Sequence, residues 1–399
     1  MATEPESNAR NRTPQDDWDD RLNRGVDSLF RPVAANGFWD DADGKIIRAL
    51  EYSFTDGELV WTPDDTFQWR YSPFALMGVF HWRTADCGDD RHDPKIRSHL
   101  EYLLEQLPDE GLQDVPSYGL GPLLVSLVRA DEVFSDTDYL EPATRIGLES
   151  KPPRTFDHNE DALLLLGWAE LYRRSGADEV RSRVRAGLDH FKSQFGTDLY
   201  TYDSSSRGFQ QYSNLQKTVY DLLYGGTPSR RHQNQMYTLW GVGEAAKVLD
   251  DRGVLTQMEQ VLEYTVWRRM REDGGIIWED VSSFSSVRGD VLSRLGLRPP
   301  HWYFLYTCHQ SFFAHAVAVF ESLSDRRRFA DDAITALEWI FENDVSPPLS
   351  RGTSNLGVPM RFVTIHGDFS VDDQMYKGTY EIGAYLMALT DLVDGTFDS

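Results

Sequence analysis

Residues 158–170 read HNEDALLLLGWAE, residues 232–244 read HQNQMYTLWGVGE, and residues 309–321 read HQSFFAHAVAVFE. Each stretch opens on a His followed by an amide residue, places a small residue nine positions later (Gly167, Gly241, Ala318) and closes on Glu twelve positions after the His. The filling between these points is apolar on almost every side, which describes a helix buried on most of its faces. After a short polar break each stretch is followed by a second helix carrying one apolar stripe among charges. The repeated unit is therefore a helical hairpin.

Working outward, the same two kinds of helix run through the chain. Buried helices are expected over 73–85, 119–131, 159–175, 233–249, 309–323 and 377–393, and one-side-exposed helices over 17–30, 93–107, 137–149, 178–195, 254–271 and 326–343. They alternate strictly, exposed before buried, six times. This predicts an all-α (α/α)6 toroid, with six inner helices around a funnel and six outer helices covering them. An open α-solenoid alternates in the same way. Connection lengths favour the closed ring: long ones fall only between an exposed helix and the next buried one, at 31–72, 196–231, 272–306 and 344–376. Long loops on one face mark it as the functional face. Closure places the helix near 17–30 beside the one near 377–393, within the roughly 8–10 Å of packed helices. Asp93-Pro94, Asp178 and Asp325 read as starts of outer helices. Segments 56–63, 206–213 and 272–281 read as short β-like pieces. Residues 1–14 read as a disordered polar tail, and 15–399 as one domain.

The chain of 399 residues carries a net charge of −24, and only seven of its 40 basic residues are Lys. An acidic, Lys-poor surface suits a halophilic protein, because concentrated salt screens carboxylate repulsion. It also repels nucleic-acid phosphates, so nucleic-acid binding is disfavoured. No apolar run is long enough for a membrane span, and the polar start does not resemble a secretory signal. Cys87 and Cys308 are too few for a disulfide framework or a four-thiolate zinc site. A cytoplasmic location is expected.

In a toroid the first turns of the inner helices face the funnel mouth. They read WRYS (69–72), PSYG (116–119), HNED (158–161), RHQNQ (231–235), YTCHQ (306–310) and KGTYE (377–381). His158, His232 and His309 share one repeat position and titrate near neutrality, as proton transfer requires. Glu160, Glu279, Tyr306 and Tyr380 are their candidate catalytic partners. Trp69, Arg70, Asn159, Asn234, Gln235, Trp278, Trp302, Tyr303, Gln310 and Glu381 are candidate substrate contacts, the aromatic ones suiting the apolar C–H faces of sugar rings. A metal held by all three His would require three spread helices to converge on bonds of about 2 Å. No metal or cofactor is expected. The repeat residues Glu170, Glu244 and Glu321 lie three turns inside their helices and suit packing between hairpins.

The six alternations and aromatic, glycine-marked loops such as EDGGIIWED (272–280) resemble the six-hairpin toroid superfamily, which includes glycoside hydrolases, unsaturated-uronyl hydrolases, polysaccharide lyases and sugar 2-epimerases. The segment QNQMYTLWGVGEAAKVL (233–249) is similar to the inner helix of acylglucosamine 2-epimerases. Cys308-His309 resembles the Cys-His dipeptide of lanthionine-synthesising cyclases, but Gln310-Ser311 replaces the glycines that follow it there. The Asp-rich donor and repeated Gln-Trp motifs of terpenoid cyclases do not occur in convincing form. The resemblance implies a carbohydrate-active enzyme using general acid/base chemistry on a sugar or uronic-acid unit, with a small-molecule or oligosaccharide substrate. The alternatives are a non-catalytic toroid binding a glycan, lipid or peptide, or a cyclase of these other toroid families.

Overall fold

The computed structural model of the protein describes residues 14–55, 58–156, 159–195, 232–277, 295, 304–344, 358–359, 362–364 and 376–397. Among them are twelve α-helices. Outer helices α1 (Pro14–Phe30), α3 (Asp93–Glu105), α5 (Leu140–Glu149), α7 (Asp178–Phe195), α9 (Leu255–Arg268) and α11 (Ala330–Asp344) alternate with inner helices α2 (Ser72–Thr84), α4 (Ser117–Val133), α6 (Asp161–Ser175), α8 (His232–Val248), α10 (Thr307–Ser324) and α12 (Thr379–Val393). Each inner helix packs on the next, and α12 packs back on α2. The ring is closed. Helix α1 lies against α12, as closure demands. The core is formed by the inner helices, which are apolar on nearly all faces, and by the single stripes of the outer ones, such as Ile96, Leu100 and Leu103 on α3.

The small residue of the repeat has a packing reason. A Cβ on Gly167 would stand 2.8 Å from the Gly121 carbonyl oxygen, and one on Gly241 would run into the Ala162 carbonyl. Inner helices approach here with no room for a side chain. Two of the three repeat Glu residues fasten neighbouring hairpins, and the third ties its own hairpin together. Glu170 and Glu244 share Arg173, at 2.6 and 2.8 Å. Glu321 accepts from the backbone N–H groups of Arg328 and Phe329, both at 2.7 Å, just before α11 begins at Ala330. Asp325 does not start that helix as its sequence context suggests. It ends α10 in the left-handed region, φ 56°, and its carboxylate accepts from Arg252. An acidic residue that tolerates positive φ serves as a helix stop as well as an N-cap.

Among the described residues, three small sheets decorate the face holding the inner-helix N-termini. Strands β1 (Trp39–Asp40) and β2 (Lys45–Ile46) form one. Strand β3 (Ala49–Thr55) pairs with β4 (Glu58–Asp64), as the β-like reading of 56–63 anticipates. Strands β5 (Phe304–Tyr306) and β6 (Phe362–Thr364) form another antiparallel pair, and β7 (Tyr376–Gly378) runs antiparallel to β3 directly before α12. Of segment 272–281, Ile276 bridges to Met270; its end and segment 206–213 lie outside the described residues.

Candidate functional site

At the mouth of the ring, the residues preceding and opening four inner helices converge. Arg70, just before α2, donates from Nη2 to Glu160 Oε1, just before α6, at 2.6 Å. The ring of Tyr118, in the first turn of α4, lies 4.9 Å from the guanidinium carbon, and that of Tyr380, in the first turn of α12, lies 5.7 Å away. Aromatic faces attract a cation held above them. The Arg70 side chain is 37% exposed and that of Glu160 16%, so the pair opens onto the mouth instead of being sealed in the core. Burial works against the Arg70 charge, but Glu160 and the phenols of Tyr380 and Tyr118 more than offset it, and its pKa moves up. Burial pushes the Tyr118 phenol up as well, helped by Glu160 and opposed by Arg70. Tyr118 is therefore protonated at neutral pH and able to donate.

The wall beside this group is built by the β4-β3-β7 sheet. Arg48 is paired with Asp64 and lies over the rings of Tyr71 and Tyr376, at 4.8 and 5.5 Å, while the two tyrosine hydroxyls meet at 2.5 Å. Thr379 ties the start of α12 to the carbonyl of Arg48 through its N–H and its hydroxyl. This contact fixes Tyr380 and Glu381, both buried, against the sheet. Asp161 is locked, 2% exposed at its side chain, by Lys151 at 3.1 Å and by the Ser117 hydroxyl at 2.5 Å. It braces the starts of α4 and α6. Asn159 is buried beside it, and no hydrogen bond reaches its Oδ1 among the described residues.

On the other flank His309 is fully buried and stacks on Tyr306, with ring centroids 5.1 Å apart. Gln310 is also fully buried, and both ends of its amide serve the backbone: Nε2 donates to the Tyr306 carbonyl at 2.7 Å and Oε1 accepts from the Ile276 N–H at 2.9 Å. One of its two N–H groups and its oxygen are thereby engaged by the backbone, which fixes the amide in the wall. Trp69 is half-buried, packed edge-on to Phe67 at 5.0 Å and against Gly119. Among the other residues singled out from the sequence, His158, Trp278, Glu279, Trp302 and Tyr303 lie outside the described residues, as do the side chains of His232, Asn234 and Gln235. Tyr118, Tyr71, Tyr376 and Arg48 join the site without having been singled out. For Tyr118 the signal was its place in the first turn PSYG.

No family model matches this sequence, and no curated protein sequence matches it. Solved structures do share its fold. An unsaturated glucuronyl hydrolase responsible for glycosaminoglycan degradation, from Bacillus sp. GL1, superposes with TM-score 0.62 at 15% identity, over 94% of this chain and 96% of its own. A sugar epimerase from a ruminal bacterium gives 0.60 at 12% identity over 95% and 99%. The cellobiose 2-epimerase of Spirochaeta thermophila gives 0.60 at 13% identity over 97% and 99%. At such identities the likeness establishes the fold, a six-hairpin (α/α)6 toroid.

Proposed function

We propose that the chain is an enzyme acting on a sugar or uronic-acid unit by general acid/base chemistry at the mouth of the ring. The observation that carries this reading is the Arg70–Glu160 pair, half-open and walled by Tyr118 and Tyr380. A guanidinium presents a planar fork of N–H donors suited to a carboxylate or to neighbouring hydroxyls. The half-buried Tyr118 ring beside it offers an apolar face to the C–H side of a sugar, and its protonated hydroxyl can donate. Glu160, Glu381, Tyr380 and His309 supply carboxyl, phenol and imidazole groups for proton transfer, and the Asn159 carbonyl is an acceptor for a substrate hydroxyl. His158, His232 and Glu279, with Trp278, Trp302 and Tyr303, complete the assignment from the sequence alone. The shared fold of a uronyl hydrolase and two sugar epimerases supports the substrate class.

An activity screen tests this. The protein is incubated with unsaturated uronyl disaccharides and with cellobiose, in dilute buffer and in multimolar KCl, and products are followed by NMR. Release of a free uronyl unit or inversion at the sugar 2-position supports the reading and separates hydrolysis from epimerisation. Saturable binding without conversion of any saccharide supports a non-catalytic glycan-binding toroid instead, and absence of both overturns the sugar assignment.

A further inference from the structure

The ring encloses a second chamber. Below Tyr380 its interior is filled by Phe74 and Phe312, both fully buried, with rings 5.9 Å apart. Phe312 in turn lies 6.1 Å from Trp240, which stacks on His315 at 4.7 Å and 19°. Beyond this plug, among the C-terminal halves of the inner helices, lies a cavity of 390 Å³. Its lining draws on all six inner helices, among them Met77 of α2, Arg129 of α4, Glu170 of α6, Trp240 of α8, His315 of α10 and Asp391 of α12. The volume falls within the roughly 300–1,000 Å³ of small-ligand pockets, near their lower end.

The lining has two characters. Met77, Leu166, Val319 and Met387 form an apolar wall together with Trp240. The rest is a chain of ion pairs: Glu170 with Arg129 at 3.5 Å and Arg173 at 2.6 Å, Glu244 with Arg173 at 2.8 Å, and Asp391 with His81 at 2.7 Å and His315 at 3.4 Å. Each lining acid thus has a cation beside it, and Lys247 at the rim is exposed. An ionic ligand of either sign would meet a like charge within this lining and would have to compete with pairs already formed. Paired carboxylates nevertheless keep lone pairs, and paired guanidinium groups keep N–H donors, that the pairing does not use. A purely apolar occupant would bury these groups unsatisfied. An uncharged molecule rich in hydroxyls, with an apolar face for the aromatic wall, satisfies both surfaces.

We propose that this chamber is a binding site for an uncharged polyhydroxylated molecule the size of one sugar ring, separate from the mouth. The inference stands without the catalytic reading of the mouth. D-glucose is the probe, titrated calorimetrically into the wild type, into Arg70→Met, which alters only the mouth, and into Ser322→Trp. Ser322 lines the chamber and is exposed, so a bulky ring there takes up chamber volume without disturbing the core. The expected result is glucose binding that survives Arg70→Met and weakens at least tenfold in Ser322→Trp, while any turnover at the mouth is unchanged by Ser322→Trp. Ala318→Phe, which fills the wall, should reproduce the loss wherever circular dichroism shows the fold intact. Glucose binding abolished by Arg70→Met and untouched by Ser322→Trp overturns the proposal. So does tighter binding of acetate or choline than of glucose in the wild type, and so does no detectable glucose binding. A failed substrate screen at the mouth leaves these outcomes readable, because the titration does not require turnover.

Discussion

The two ends of the inner ring are built from the same repeat and have been put to different uses. At the N-terminal end, equivalent or neighbouring positions have diverged: His309 stacks on Tyr306, Asp161 is locked by Lys151 and Ser117, and Glu160 reaches across to Arg70 at the open mouth. At the C-terminal end the repeat Glu serves as a tethering acceptor in all three copies. Glu170, Glu244 and Glu321 each bind a group on the same or the neighbouring hairpin, whether a guanidinium or backbone N–H groups. A position that fastens one hairpin to the next is constrained by the ring itself, whereas a first-turn position facing the mouth is free to be specialised.

That contrast can be broken most sharply at the mouth. Arg70→Met should lower kcat/KM on a turned-over sugar by about 10²- to 10³-fold, the usual loss for a preorganised charge contact. Its thermal midpoint should move little, because the side chain is 37% exposed. A stability loss with unchanged turnover per folded molecule would make the mouth as structural as the far end. Gly241→Val tests the packing between the two ends: its new side chain meets the Ala162 carbonyl, backbone that cannot swing aside, so urea unfolding should show a loss of about 1–3 kcal/mol.

Asp391→Asn probes the far end through pH. Burial opposes ionisation of Asp391, but His81 and His315 beside it more than offset that and hold its pKa below the ordinary 3.8. Its contribution to stability is therefore present above 3.8 and is lost as pH falls through the depressed value. Burial lowers the His81 pKa, but Asp391 outweighs it and the net movement is upward from 6.5; Arg129 lowers it and Glu170 raises it to smaller extents. The His81 contribution is complete below 6.5 and is lost as pH rises through the raised value. The two overlap between pH 3.8 and 6.5, where Asp391→Asn should cost most, about 1–3 kcal/mol, with wild type and variant converging above that window. A difference independent of pH would remove the charge pair from the explanation. The smallest effect is expected at Arg173→Met. Arg173 is 39% exposed, so despite its two carboxylates its loss should cost less than about 1 kcal/mol at moderate salt.

The ring was legible in the sequence because helix periodicity is local: inner helices anticipated at 73–85 and 159–175 appear at Ser72–Thr84 and Asp161–Ser175. The order of exposed and buried helices then implied closure. The site was less legible, because its contacts are not local. Arg70 and Glu160 are 90 residues apart, and Gln310 is claimed by the N–H of Ile276, 34 positions earlier, which no pattern around Gln310 announces. Asp325 failed for a subtler reason. Asp is favourable both at a helix N-cap and at positive φ, and the two uses look alike in sequence when helices are separated by five residues, 325–329.

The packing of α1 on α12 has a topological consequence. Outer helices run toward the mouth and inner ones away from it, so the start of α1 at Pro14 and the end of α12 at Val393 both lie on the far face. The chain is a loop in all but its covalent bond. A short linker from Phe397 to Pro14, with new ends opened between Gly176 and Ala177, would keep every hairpin interface and merely renumber which helix is synthesised first. In the natural order the interface of α1 with α12 cannot form until α12 itself is made.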